Sequence, residues 1–193
     1  MAFSKGKRIE DETSKRIIDL AVNIGCKEGS DALTVTRICR ELNCDRRVIY
    51  NRFRDVDEIN MIVAQRCNAE LIANARAAVD SSADFYTNLI NMIDVAFIYI
   101  YEKNPFFQYY TAMYKITDDG IENDVLSDLT EFIRAGKKTG EVNAQIDSVE
   151  MAKNVWLITI GISTMLATNS NYRYQDAKAT MMYGINALIE YMK

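Results

Sequence analysis

Apolar residues recur along this chain at three- and four-residue spacing, the signature of helices with one buried face. Ile17, Leu20, Ala21 and Ile24 predict a first helix from about Asp11 to Lys27, broken by Gly29-Ser30-Asp31. Thr34 is a good N-cap for a short second helix in which Val35, Ile38, Cys39 and Leu42 face inward. Asn43 follows where the chain must turn sharply, and asparagine is the best substitute for glycine in a left-handed backbone. Asp45 then predicts the cap of a third short helix, Arg46 to Phe53, with Val48, Ile49 and Phe53 on its apolar side.

Asp55 and Glu58 have the spacing of a capping box and start a long fourth helix toward Val79. After Asp80-Ser81-Ser82, a stripe of Phe85, Leu89, Met92, Ile93, Ala96, Phe97 and Ile100 marks a fifth. Asn104-Pro105 reads as a cap followed by proline at the first helical position. Val125, Leu129, Phe132 and Ile133 predict another helix, ended near Gly136 and Gly140. Asp147 and Glu150 suggest a second capping box ahead of Trp156, and a last helix runs from about Gln175 to Met192. No segment alternates as a strand. The expected fold is all-α, with about nine helices.

Composition agrees: there is a single proline, and no linker, repeat or low-complexity tract stands out. The N-terminus lacks the apolar core of a signal peptide. The longest apolar stretch, Val155 to Ala167, is interrupted by Thr159, Ser163 and Thr164. It is also shorter than the ~20 residues a bilayer demands. Cys26, Cys39, Cys44 and Cys67 fit reduced thiols in a cytoplasmic protein, structural first and redox-sensing as the alternative. With no histidine and no close CxxC pair, a zinc site is not expected, nor any cofactor.

The net charge of −4 hides an asymmetry. Residues 1–54 carry 12 Lys and Arg against 8 Asp and Glu, whereas residues 55–193 carry 11 against 19. A basic head on an acidic body is the pattern of a nucleic-acid reader. Thr34 to Arg54 alone holds six arginines, with only Glu41 and Asp45 as acids. Two short helices joined by a tight turn make a helix-turn-helix, whose second helix enters the major groove. Arg46 and Arg47 stand at the start of that helix, where a guanidinium can donate two hydrogen bonds to guanine O6 and N7. Thr36, Arg37, Tyr50, Arg52 and Arg54 flank the reading helix, as phosphate contacts require, and Thr34 and Asn51 are counted with them as DNA-binding positions. Lys5, Lys7 and Arg8 suit a basic arm.

From Ile17 to Ile59 the chain resembles the TetR family of bacterial transcriptional regulators. The resemblance rests on Ala21, Gly29, Thr34-Val35, Ile38 and above all Ile49-Tyr50 followed by Phe53. It implies that Arg46, Arg47 and Val48 approach base edges and that Thr36, Tyr50 and Arg52 approach the backbone. It also implies a C-terminal ligand pocket and a homodimer built on the last two helices. Two positions depart: Gly25 stands where the family usually has an aromatic, and Val56 where a lysine is common.

These readings divide the chain into a DNA-binding domain, residues 1–56, and a ligand-binding and dimerisation domain, residues 57–193. In the latter, Phe97, Tyr101, Phe107, Tyr110, Tyr114 and Trp156 either line a pocket for an unknown small-molecule effector or pack as ordinary core. Gly161, Met165, Met181, Gly184, Ile185 and Leu188 either meet a second copy or pack within the chain. Enzymatic activity is not expected. Histidine is absent, and Gly136-Lys137-Lys138-Thr139-Gly140 lacks the glycine, hydroxyl and preceding strand of a phosphate loop. The expected function is a transcriptional regulator, a repressor released from a palindromic double-stranded operator by an effector. The alternative is a coactivator or adaptor of the same fold that works through protein contacts. No membrane partner is expected.

Overall fold

A computed structural model describes residues 9–103, 116–117, 120–121 and 124–193. Among them stand eight α-helices: α1 Glu12–Glu28, α2 Val35–Leu42, α3 Arg46–Tyr50, α4 Val56–Ala77, α5 Phe85–Glu102, α6 Asp124–Thr139, α7 Ser148–Thr168 and α8 Tyr174–Met192. A 3-10 turn, Ser30–Ala32, separates α1 from α2. Beside the helices stands a two-residue antiparallel pair, β1 Ile116–Thr117 and β2 Gly120–Ile121, too short for alternation to reveal. The helix expected from Pro105 lies outside the described residues.

Helix ends follow local chemistry. Asp11 and Ser14 cap α1 reciprocally, and Thr34 accepts from the Arg37 N–H (3.2 Å) at the start of α2. Asn43 adopts φ 50° and ψ 53°, the left-handed turn that ends α2. Asp45 has the extended backbone of a cap but no capping side-chain bond, and α3 stops at Tyr50, short of Phe53. At α4, Asp55 accepts from the Glu58 N–H (2.8 Å), while Glu58 reaches one residue further back, to the Arg54 N–H (2.6 Å). Asp147 caps α7 from one side only, because the Glu150 carboxylate turns to Lys153 (2.7 Å).

Gly136 does not end α6 as the sequence implied; it lies inside the helix because the neighbouring side chains need its empty face. A Cβ there would fall 2.6 Å from the Phe85 ring and 2.8 Å from Val142. Gly140, at φ 81°, follows the helix end instead.

The chain forms two compact units, and the division falls inside α4, between Cys67 and Asn68. The first unit, described from residue 9, is closed around Ile17, Ile24, Ile38, Ile49, Ile59 and Val63. Ile59 and Val63 explain why the unit runs on into α4: both are fully buried. In the second unit, α5, α6, α7 and α8 bury Leu89, Phe97, Ile133, Val155, Met181 and Ile185, and Phe85 stacks on Phe132 at 4.8 Å. No helix among the described residues is long and apolar enough to cross a membrane.

Candidate nucleic-acid interface

Ile38 of α2 and Ile49 of α3 are fully buried, so each helix is pinned by an isoleucine on its inner side. Between them the Cys44 N–H donates to the Cys39 carbonyl (3.0 Å), closing the turn around Asn43. This pinning leaves Arg46, Arg47, Tyr50 and Asn51 exposed, with Val48 half-buried. Tyr50 is 53% exposed and belongs to the surface rather than the core.

The arginines fall into two groups. Arg46 donates through Nη2 to the Thr36 hydroxyl (2.8 Å), a neutral contact that ties α3 to α2 and leaves its charge uncompensated among the described residues. Among the described residues, the Arg47 and Arg40 side chains make no hydrogen bond or ion pair. Arg40 was not singled out from the sequence, although it belongs to the same arginine-rich stretch.

Arg37 and Arg52 are committed inside the unit. Arg37 grips both oxygens of Glu28 (2.5 and 2.6 Å) and one of Glu41 (2.8 Å). That bonding lowers the Glu28 carboxyl pKa below the ordinary carboxylate range and raises that of the guanidinium. Arg52 donates through Nε to Asp11 (2.9 Å), through Nη2 to the other Asp11 oxygen, and through Nη1 to the Val48 carbonyl (2.9 Å). Its side chain is only 12% exposed. Asp11, held by Arg52 and by the Ser14 N–H, is depressed well below the usual carboxylate pKa. These pairs join residues far apart in sequence, so spacing gives no sign of them. Arg54 is exposed and pairs with its neighbour Asp55 (2.7 Å). Thr34 serves α2 as its cap, and Lys5, Lys7 and Arg8 lie outside the described residues.

In the second unit an apolar cavity of about 40 Å³ lies among Leu71, Met92, Ile93, Leu129, Val155 and Trp156, with Asp128 and Thr159 at its polar edge. The Thr159 hydroxyl is taken by the Val155 carbonyl (2.8 Å), and Asp128 pairs with Arg76. Of the expected pocket residues, Trp156 lines this cavity. Phe97 and Tyr101 face the Tyr174 ring instead, at 5.6 and 6.2 Å between centroids. Phe107, Tyr110 and Tyr114 lie outside the described residues.

The expected dimer residues also divide. Met181 and Ile185 have no exposure in the single chain and form its own core. A Cβ on Gly184 would meet Ile158 at 3.3 Å, so this glycine serves the contact between α7 and α8. Leu188 is half-buried. Gly161 faces open space, and Met165 is 56% exposed. Leu157, Tyr183 and Tyr191, not selected from the sequence, are exposed as well.

No family model and no curated protein matches the chain. Solved structures do. The fatty acid degradation regulator FadR from Bacillus halodurans is similar at 15% identity, over 94% of this chain and 97% of that one, with a TM-score of 0.68. The TetR-family transcriptional regulator PfmR from Thermus thermophilus is similar at 18% identity, over 91% and 97%, with a TM-score of 0.61. A bacterial regulatory protein in the TetR family from Rhodococcus RHA1 is similar at 13% identity, over 95% and 98%, with a TM-score of 0.62. Across nearly its whole length, then, this chain has the fold of the TetR-family transcription regulators.

Proposed function

We propose that the protein is a sequence-specific DNA-binding transcription regulator of the TetR family, a repressor that a small molecule releases from a two-fold-symmetric operator. The observation that carries this reading is the state of α3. Arg46 and Arg47 open the helix with exposed guanidinium groups that no carboxylate among the described residues neutralises, while Arg37 and Arg52 hold α2 and α3 in place. A guanidinium offered at a helix start is the group that reads guanine in the major groove.

Tyr50, Asn51, Arg54 and Thr36 stand around α3 for phosphate contact, joined by Arg40. Arg37 and Arg52 act as positioning residues that fix α2 and α3. The effector enters the second unit at the cavity lined by Trp156, which at about 40 Å³ has to widen to hold it, and its body is apolar because the walls are. A second copy covers the exposed side chains of α7 and α8, Leu157, Met165, Tyr183 and Tyr191. The α4 helix runs unbroken from one unit into the other and is the covalent path by which effector and DNA oppose each other. The protein acts in the cytoplasm and is not an enzyme.

The test is binding of enriched DNA by the Arg46→Ala, Arg47→Ala double variant. Expected is loss of specific binding, at ~1–3 kcal/mol per guanine contact, with an unchanged circular-dichroism melt. Unchanged affinity overturns the reading and favours an adaptor that acts through protein contacts.

A further inference from the structure

All four cysteines of the chain lie at or before residue 67, in the first unit. Two of them come from different helices: Cys26 near the end of α1 and Cys67 in α4. They are buried, at 7% and 1% exposure, and their Sγ atoms stand 3.6 Å apart across 41 positions of sequence. Most buried cysteines serve as small apolar side chains. A pair whose thiols already meet in a hydrogen bond has a second option, a disulfide with the sulfurs about 2.05 Å apart.

We propose that Cys26 and Cys67 are an oxidisable dithiol whose disulfide staples α1 to α4 and encloses the reading helices in a covalent loop. The oxidant is a peroxide. Cys26 reacts first, being the more exposed of the two. It loses its thiol proton, and its sulfur attacks one peroxide oxygen. The O–O bond breaks, water leaves in the case of hydrogen peroxide, and a sulfenic acid remains. The Cys67 sulfur then attacks the Cys26 sulfur, the S–O bond breaks, and a second water departs with the Cys67 proton. Two thiols and one hydrogen peroxide thus give one disulfide and two waters, the sulfurs losing the two electrons the peroxide gains. Burial slows the first step, and contact between the sulfurs speeds the second.

The loop from Cys26 to Cys67 contains all of α2, the turn and α3. Closing it restricts the unfolded chain, so oxidation raises the thermal midpoint, on the order of 10 °C for a loop of this length. The sulfurs sit on α1 and α4, not on α3, so the bond changes how firmly the head is held rather than which groups meet the duplex.

The test uses the reduced full chain treated with hydrogen peroxide, alkylated and mapped by mass spectrometry, with a thermal melt alongside. The expected result is a Cys26–Cys67 linked peptide two hydrogens lighter than the reduced pair, and a raised midpoint. Both vanish in Cys26→Ser and both survive in the Cys39→Ser, Cys44→Ser double variant. Recovery of Cys26 and Cys67 as alkylated thiols, their pairing with other partners, or a linked peptide without a raised midpoint overturns the proposal. Mapping is done on the unmutated protein and needs no DNA, so its outcome is independent of the DNA-binding reading.

Discussion

Arg47 and Arg52 lie five positions apart and meet opposite fates, for an electrostatic reason. Arg52 finds Asp11, which also caps α1, so one carboxylate holds two helices and the guanidinium is neutralised in place. Arg47 finds no acid among the described residues, and its charge stays available to a partner. A charge-assisted bidentate pair is geometrically strict, which suits the task of orienting a helix of only five residues.

Asp11 makes the arrangement sensitive to acid. A carboxyl whose folded pKa is depressed contributes stability above its ordinary value, near pH 4, and that contribution fades as the pH falls through and below it. Asp11→Asn should therefore melt below the unmutated protein at about pH 7, with the gap narrowing by about pH 3. Calorimetry at both pH values checks this; a gap that widens on acidification contradicts it.

At the scale of elements, helices stop and start where sequence chemistry says when the partner is local. Thr34 as a cap and Asn43 as a left-handed turn were legible because each acts within a few residues. Gly136 was not. Its meaning comes from Phe85, 51 positions earlier, whose ring occupies the space a Cβ would need. Asp147 and Glu150 were half legible: the spacing of a capping box was present, but Lys153 supplied a competing partner for Glu150. A methyl group at position 136 should force the Phe85 ring off Phe132. Gly136→Ala is therefore expected to cost ~1–3 kcal/mol, read by denaturant unfolding, as overpacking does. A neutral result would mean that the ring has room to shift.

At the scale of the whole molecule, the sequence marked the basic head and acidic body through charge alone, and α3 through arginine density. It could not tell pocket from core. Phe97 and Trp156 share a pattern of aromatic residues on apolar faces, yet only contacts across helices send one toward Tyr174 and the other to the cavity. The same holds for α7 and α8, where Met181 and Met165 look alike in sequence, one with no exposure and the other 56% exposed. Because Met165 projects from the single chain, Met165→Arg should leave the fold intact and turn the proposed dimer into a monomer by light scattering. An unchanged mass would place the contact between copies elsewhere.

The central claim is that an arginine-bearing helix on this fold reads a duplex. Selection of DNA from a random-sequence pool tests it most directly. The expected result is an enriched two-fold-symmetric motif with half-sites about one helical turn apart, lost when Arg46 and Arg47 are both alanine. A pool that stays random, or a motif that survives the double substitution, contradicts it.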